Sequence, residues 1–330
     1  MSNNKHNAET PAFSSLTLDP SGPPGNAWGR FGPDDSLGML NLLTPEVVAQ
    51  AAEEIKTGKR ASLDWPLDSQ AHPSYGRVPF KHQFINKSQG SVFRPVNDDV
   101  LTFNTQSSSQ WDGFRHYGNR KHKRYFMGRT QEDLTNTGAL GIDSWLDAGG
   151  IVGRGVLLDY ASWAEKNSIP LTPFSATTIT LANLREIIKE QKISFRPGDI
   201  LIIRSGFTAA FSKLKAEEQK TLSERPVAEF AGVESTEEML KFLWENQFAA
   251  VAGDAPAFQM SPVHGLGQDD DHCLHEWLLA GWGMPIGELF DLEKLSELCK
   301  ELGRSAFFLS SMPLKVPGGV ASPPNAVAIF

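Results

Sequence analysis

Pro197-Gly198-Asp199-Ile200-Leu201-Ile202-Ile203-Arg204 is the stretch that decides the fold class. A Pro-Gly turn delivers the chain into four consecutive aliphatic residues, three of them β-branched, which is the signature of a short buried strand. Just upstream, Leu181, Leu184, Ile187 and Ile188 mark one face of a helix, and before them Gly155-Val156-Leu157-Leu158-Asp159 reads as a second strand. Downstream, Ser235 and Glu238 form a capping box that opens a helix through Leu240, Leu243 and Trp244, leading to the apolar run Phe248 to Ala252. Asp270 or Asp271 caps a helix over His272 to Ala280, closed by Gly281. A short strand around Ile286-Gly287-Glu288, a helix from Asp291 to the stop at Gly303, and the strand Ala306 to Leu309 follow. Toward the other end, Thr44-Pro45 is a helix entry, with Val48, Ala51, Ala52 and Ile55 at helical spacing until Gly58, and Ala61 to Leu67 is strand-like. This alternation predicts an α/β fold in one domain, with strand direction left open.

Residues 1–27 are polar and carry Pro23, Pro24 and Gly25, so they read as a mobile arm ahead of a domain over 28–330. The 330 residues are 40% hydrophobic and 21% charged, a composition that excludes disorder across the whole chain. The formal net charge of -8 repels phosphate backbones and anionic lipid headgroups, so neither nucleic acid nor membrane is an expected partner. No apolar run is long enough to span a bilayer, and Met1 to Pro20 has no apolar signal core. Cys273 and Cys299 cannot build a disulfide framework, and a reducing, cytoplasmic setting is the expectation.

Ligand-capable side chains gather at two places where the surrounding pattern is apolar. In Gln106-Ser107-Ser108-Ser109-Gln110-Trp111-Asp112-Gly113-Phe114-Arg115-His116, the residues Gln106, Gln110, Asp112 and His116 stand at i, i+4, i+6 and i+10. In a loop they can converge on one point, as a water-activating site requires; the plainer alternative is a polar turn whose Ser and Gln side chains satisfy local backbone groups. In the Asp269 to Glu276 segment, His272 and His275 are three residues apart on the predicted helix, and Glu288 follows inside the apolar Met284 to Phe290 stretch. A buried acid there requires a cation or a histidine, whereas the Asp run also suits a solvated helix start. Trp111, Phe114 and Tyr117 offer walls for a planar substrate, or ordinary core packing, and Tyr125 and Phe126 stand close by in sequence. Arg115, Arg120 and Arg124 are candidates for a substrate carboxylate. Asp254 follows an apolar strand and is a supporting candidate near the site, while His122 and His264 read as structural.

These motifs together resemble the cyclase family, which includes bacterial kynurenine formamidases and isatin hydrolases, and most closely its longer fungal-type members. The family pattern is H-x-G-T-H-x-D-x-P-x-H, with a late histidine and glutamate. Here Asp112 and His116 are kept, Gln106 and Gln110 stand at the two leading histidines, Ser108-Ser109 replaces Gly-Thr, and Phe114 replaces the proline. Leu274 to Gly281 and Gly287-Glu288-Leu289 are similar to the family's late His helix and Glu strand. Trp28-Gly29-Arg30, Leu40 to Pro45, Gly198 to Gly206 and Gly319 to Pro324 extend the likeness over 28–330.

The resemblance implies a swivelling β/β/α fold, a homo-oligomer, commonly a dimer, and a divalent metal, zinc or manganese. It carries Asp112, His275 and Glu288 over as ligands and His116 as the acid/base. The glutamines weaken such a site for zinc, because an amide oxygen is a neutral, hard donor; with Gln106 or Gln110 contributing a carbonyl, one weakly held manganese or magnesium ion fits better. The implied activity is metal-assisted hydrolysis of a small molecule, opening a lactone, cyclic amide or aryl formamide. A metal-independent cyclase or dehydratase acting on an aromatic or polyketide-type substrate, and a non-catalytic ligand-binding member, are the alternatives. An enzyme requires Asp112, His116, His275 and Glu288 to share one site.

Overall fold

A computed structural model describes residues 10–88, 95–263 and 270–330. Its strands, in chain order, are β1 (Arg60–Ser62), β2 (Lys81–Asn86), β3 (Asn97–Thr102), β4 (Gln110–Asp112), β5 (Ile151–Leu158), β6 (Thr178–Ile179), β7 (Ile200–Ile203), β8 (Gly232–Val233), β9 (Ala250–Gly253), β10 (Ile286–Glu288), β11 (Ala306–Ser311), β12 (Ala321–Ser322) and β13 (Ala326–Ile329). Nine of them form one mixed sheet in the order β1-β13-β11-β5-β7-β9-β10-β4-β12.

The sequence left strand direction open, and the sheet resolves it in two ways. β5, β7, β9 and β10 run parallel, each reached through an intervening helix or long connection. Around them β11, β13 and β1 on one side, and β4 and β12 on the other, pair antiparallel. The parallel centre explains the unbroken apolar runs: β7 and β9 are buried at every position, as strands covered on both faces must be. Helix Leu181–Glu190 buries Leu181, Leu184 and Ile187, the face its spacing marks.

Thr44 caps helix Pro45–Ala52 by accepting from the Val47 N–H, as the Thr-Pro entry predicts. Elsewhere the caps lie one or two residues from their expected places. Thr236, not Ser235, accepts from the Met239 N–H to open Glu237–Glu245. The predicted helix His272 to Ala280 is instead a short 3₁₀ turn, Asp270–His272, followed by a π-helix, Glu276–Trp282. That π-helix stops at Gly283 rather than Gly281. Gly283 has φ 64°, and a Cβ there would lie 2.6 Å from the Phe126 ring, so only glycine fits.

The mobile arm is a misreading for residues 10–27. Phe13, Leu16 and Leu18 pack on the core, the Trp244 indole donates to the Pro11 carbonyl, and the Trp282 indole donates to the Gly25 carbonyl. The polar side chains that looked solvated cap one another: Asn26, fully buried, accepts from the Asp19 and Trp28 N–H groups. Residues 1–9 lie outside the described residues, as do His264 and Asp269. β2 and β3 form a separate ribbon whose residues are almost all exposed, and its two ends lead directly to Arg77 and Gln106.

Candidate functional site

Strand alternation builds the site. Gln110 and Asp112 point to one face of β4 and Trp111 to the other, and the antiparallel register with β10 places Gln110 directly opposite Glu288. Gly287, between Ile286 and Glu288, is required by packing: a Cβ there would lie 2.6 Å from that of Ala252 and 2.9 Å from the Phe290 ring. His275, at the start of the π-helix, lies over the same face of β4 and β10 as these polar groups. Its Nε2 is 3.1 Å from Glu288 Oε1 and 3.9 Å from Asp112 Oδ2, while His116 Nε2 is 3.7 Å from Asp112 Oδ2. Asp112 with His116, His275 and Glu288, from three separate stretches of the chain, are thus brought together at one place.

The glutamines act differently from the expectation. Gln106 Nε2 donates to Asp112 Oδ1, and Gln110 Nε2 donates to Glu288 Oε2 at 2.8 Å. Gln106 Oε1 accepts from Arg77 Nη2 at 3.3 Å, a group that can only donate, and from Gln110 Nε2 at 3.4 Å, so the oxygen expected as a ligand is already engaged by two donors. Each amide therefore braces the outer oxygen of a carboxylate. The inner oxygens, Asp112 Oδ2 and Glu288 Oε1, together with Gln110 Oε1, are buried acceptors without a hydrogen-bond donor among the described residues.

Gln259 fixes what His275 presents. Its Oε1 accepts from the His275 backbone N–H at 2.9 Å, which identifies that atom as the oxygen, and it lies 2.8 Å from His275 Nδ1. Nδ1 consequently carries a proton, so that Nε2, whenever the ring is neutral, aims its lone pair at two carboxylate oxygens. Such an arrangement is repulsive unless a cation or a proton stands between them.

The donor set fits one divalent cation: Asp112, His116 and His275 offer ligand atoms within 4.8 Å of one another, beside the unpaired Glu288 and Gln110 oxygens. The mixture of carboxylate, amide and imidazole donors suits a hard or borderline ion.

Without a cation, the same geometry stores a proton. Burial, reinforced by the Asp112 charge, pushes the Glu288 carboxyl up to about 7. For His275, burial favours the neutral ring, but the Glu288 and Asp112 carboxylates outweigh it and the net shift is upward. Both folded-state values exceed the unfolded ones, so the folded protein holds protons that the unfolded chain releases, and stability falls as pH rises through about 7. Thermal melts in chelator between about pH 5 and about pH 8 should show that decline, and Glu288→Gln should flatten it. A flat wild-type profile would contradict the shared proton.

His116 is half-buried, and burial holds its imidazole below the usual 6.5. The Tyr117 ring stands edge-on to His275, 5.2 Å between centroids. Glu276, at the start of the π-helix, accepts from Asn119 Nδ2 and Arg120 Nε, which ties the segment after His116 to the element after His275 and removes Arg120 as a free carboxylate binder.

Several expected wall and binding residues lie elsewhere. Trp111 is wholly buried, donates to Ser311 Oγ and packs edge-on against Phe290; Phe114 packs between Phe126 and Trp145. Arg115 is occupied by the carbonyls of Leu134, Thr137 and Ala139. Asp254, wholly buried, accepts from the N–H groups of Ser205, Gly206 and Phe207 and from Ser205 Oγ. It caps helix Phe207–Phe211, and both its oxygens are engaged there. Ser107, Ser108 and Ser109 satisfy backbone carbonyls, as the polar-turn alternative predicts for them. Arg77 and Gln259 were not legible in the sequence, since each joins the site only through the fold. A cavity of about 770 Å³ lined by Arg154, Asp159, Trp163 and Cys299 lies apart from all these residues; its buried charges are already paired with Glu54, Asp199 and Arg204.

The described residues contain no helix long and apolar enough to cross a membrane. No curated protein sequence matches the chain. Among solved structures, a protein described as a novel cyclase is 31% identical, covers 92% of this chain and 99% of its own, and superposes with a TM-score of 0.79. Isatin hydrolase A from Ralstonia solanacearum is 15% identical over 87% of this chain and 97% of its own, TM-score 0.58. An isatin hydrolase bound to the product analogue thioisatinate is 12% identical over 84% and 94%, TM-score 0.59. These last two share the fold. A family model described as "Putative cyclase" matches residues 35–259, and with that match and the first relative above, the chain belongs to the cyclase family.

Proposed function

We propose that the chain is a hydrolase that opens a lactone, cyclic amide or aryl formamide with the help of one divalent metal ion, manganese or zinc. The observation that carries this is His275 Nε2 standing 3.1 Å from Glu288 Oε1 and 3.9 Å from Asp112 Oδ2, two buried oxygens without a hydrogen-bond donor among the described residues, an arrangement that a cation would complete. The named isatin hydrolases of the same fold support a carbonyl-containing ring as substrate.

Asp112, Glu288 and His275 would hold the ion, with Gln110 Oε1 beside them and Gln106 bracing Asp112. When bound, a divalent cation supplies Lewis acidity toward a carbonyl oxygen and lowers the pKa of water. His116, neutral near pH 7 because burial depresses its pKa, accepts a proton at Nε2 from the attacking water and delivers it to the leaving nitrogen or oxygen. Tyr117 shields the His275 ring, and Gln259 keeps its Nδ1 protonated so that Nε2 stays available.

Glu288 itself favours a second reading. With its carboxyl titrating near 7, a proton on Oε1 also satisfies the His275 lone pair, and the site then performs acid/base cyclisation or dehydration without metal. Metal content of the purified protein, with turnover of lactones, cyclic imides and N-formyl aromatics before and after exhaustive chelation, separates the two. Stoichiometric metal and activity restored by manganese or zinc are the expected result; undiminished activity in metal-free protein would overturn the metal-assisted mechanism.

A further inference from the structure

Among the described residues, one cation at the site has no anionic partner. Arg77 reaches the site from the root of the β2–β3 ribbon, where Nη1 donates to the Gln106 carbonyl at 2.9 Å and Nη2 to Gln106 Oε1 at 3.3 Å. Its guanidinium lies over the Tyr75 ring, 4.9 Å from the centroid. Gln106 in turn donates to Asp112, so one side chain separates Arg77 from the carboxylate that faces both histidines.

A guanidinium has five N–H donors in a planar fork, and Gln106 uses two of them. No carboxylate of the described residues lies within ion-pair distance of Arg77. Of the other arginines near the motif, Arg115 is committed to three carbonyls and Arg120 to Glu276, while Arg124 is exposed and donates to the adjacent Lys123 carbonyl. A stacked, half-buried guanidinium with donors to spare is suited to bind a planar carboxylate. Its attachment to Gln106 holds it at a fixed offset from the reacting centre.

We infer that Arg77 is the anion-recognition element of this site, pairing with a carboxylate on a ring substrate whose reacting carbonyl lies at Asp112, His275 and Glu288. The inference rests on the hydrolase proposal and narrows it to aromatic or other planar substrates that carry a negative charge. Arg77 is then a specificity residue, acting on the part of the substrate away from the bond that breaks.

Formanilide and the ortho, meta and para formamidobenzoates differ only in the carboxylate and its position, so they test this directly. Wild-type protein should prefer one formamidobenzoate over formanilide, and Arg77→Gln should lower kcat/KM for that isomer by roughly 10–100-fold, mainly through KM, a loss at least about fivefold larger than the one it causes on formanilide through its hold on Gln106. Arg77→Lys should recover part of the loss. Equal losses on both substrates would reduce Arg77 to a brace for Gln106 and overturn the inference, as would a wild type indifferent to the carboxylate. Binding of the three aminobenzoates and of aniline, followed by calorimetry, gives an answer independent of turnover. If the hydrolase proposal fails and no formamide is cleaved, wild type should still bind one aminobenzoate at least about tenfold more tightly than Arg77→Gln does, and unchanged or absent aminobenzoate binding overturns the anion site.

Discussion

His116→Asn should lower kcat by about 10²–10⁴-fold, the loss typical of removing a positioned proton carrier. The geometry of the ring suits proton transfer, because Nε2 is 3.7 Å from Asp112 Oδ2, too long for a committed hydrogen bond and short enough to orient the imidazole. Its side chain is one-fifth exposed, so a substrate can reach it, whereas His275 is nearly enclosed and held by Gln259. The depressed His116 pKa places the acid limb of the pH–rate profile below 6.5, because the ring must be neutral to accept a proton. That limb should vanish from the residual activity of the variant. A fall of less than about tenfold in kcat would remove His116 from the proton transfer and turn attention to the Glu288 carboxyl.

Asp254→Ala should destabilise the fold by about 3–5 kcal/mol, a cost that belongs to folding. The carboxylate accepts three backbone N–H groups, at 2.6 to 3.0 Å, and one hydroxyl, all at a wholly buried position. Alanine would leave the Ser205, Gly206 and Phe207 N–H groups without an acceptor away from water, and the strand-to-helix turn after β7 would lose its cap. Denaturant unfolding measures the loss; at temperatures where the variant remains folded, kcat/KM should stay within about twofold of wild type. A stable but inactive Asp254→Ala would restore the residue to the site.

How much of this was legible beforehand follows from the range of each interaction. The apolar runs of β7 and β9, the Thr44-Pro45 helix entry and the buried face of Leu181, Leu184 and Ile187 are local, and pattern alone identifies them. That Asp112, His116, His275 and Glu288 converge was an expectation of the resemblance, since they come from three separate stretches of the chain and local pattern cannot place those stretches side by side. Trp111 and Phe114 were expected at the site for nearness in sequence and Asp254 for following an apolar strand; the first two pack in the core, and Asp254 caps the helix after β7. On a strand, the neighbour of a site residue points to the opposite face.

The amino-acid sequence by itself determined the α/β class and singled out Asp112, His116, His275 and Glu288, with Gln106 and Gln110, as ligand-capable side chains. Only the tertiary structure decided what those glutamines do, since whether an amide offers its oxygen or its nitrogen depends on what surrounds it. Arg77, from the foot of the ribbon, claims the Gln106 oxygen, and Glu288, across the β4–β10 register, claims the Gln110 nitrogen. The proton on His275 is settled in the same way by Gln259, sixteen residues away in the chain and 2.8 Å away in space. Donor and acceptor roles are properties of partners, and partners so far apart along a chain are brought together by folding alone.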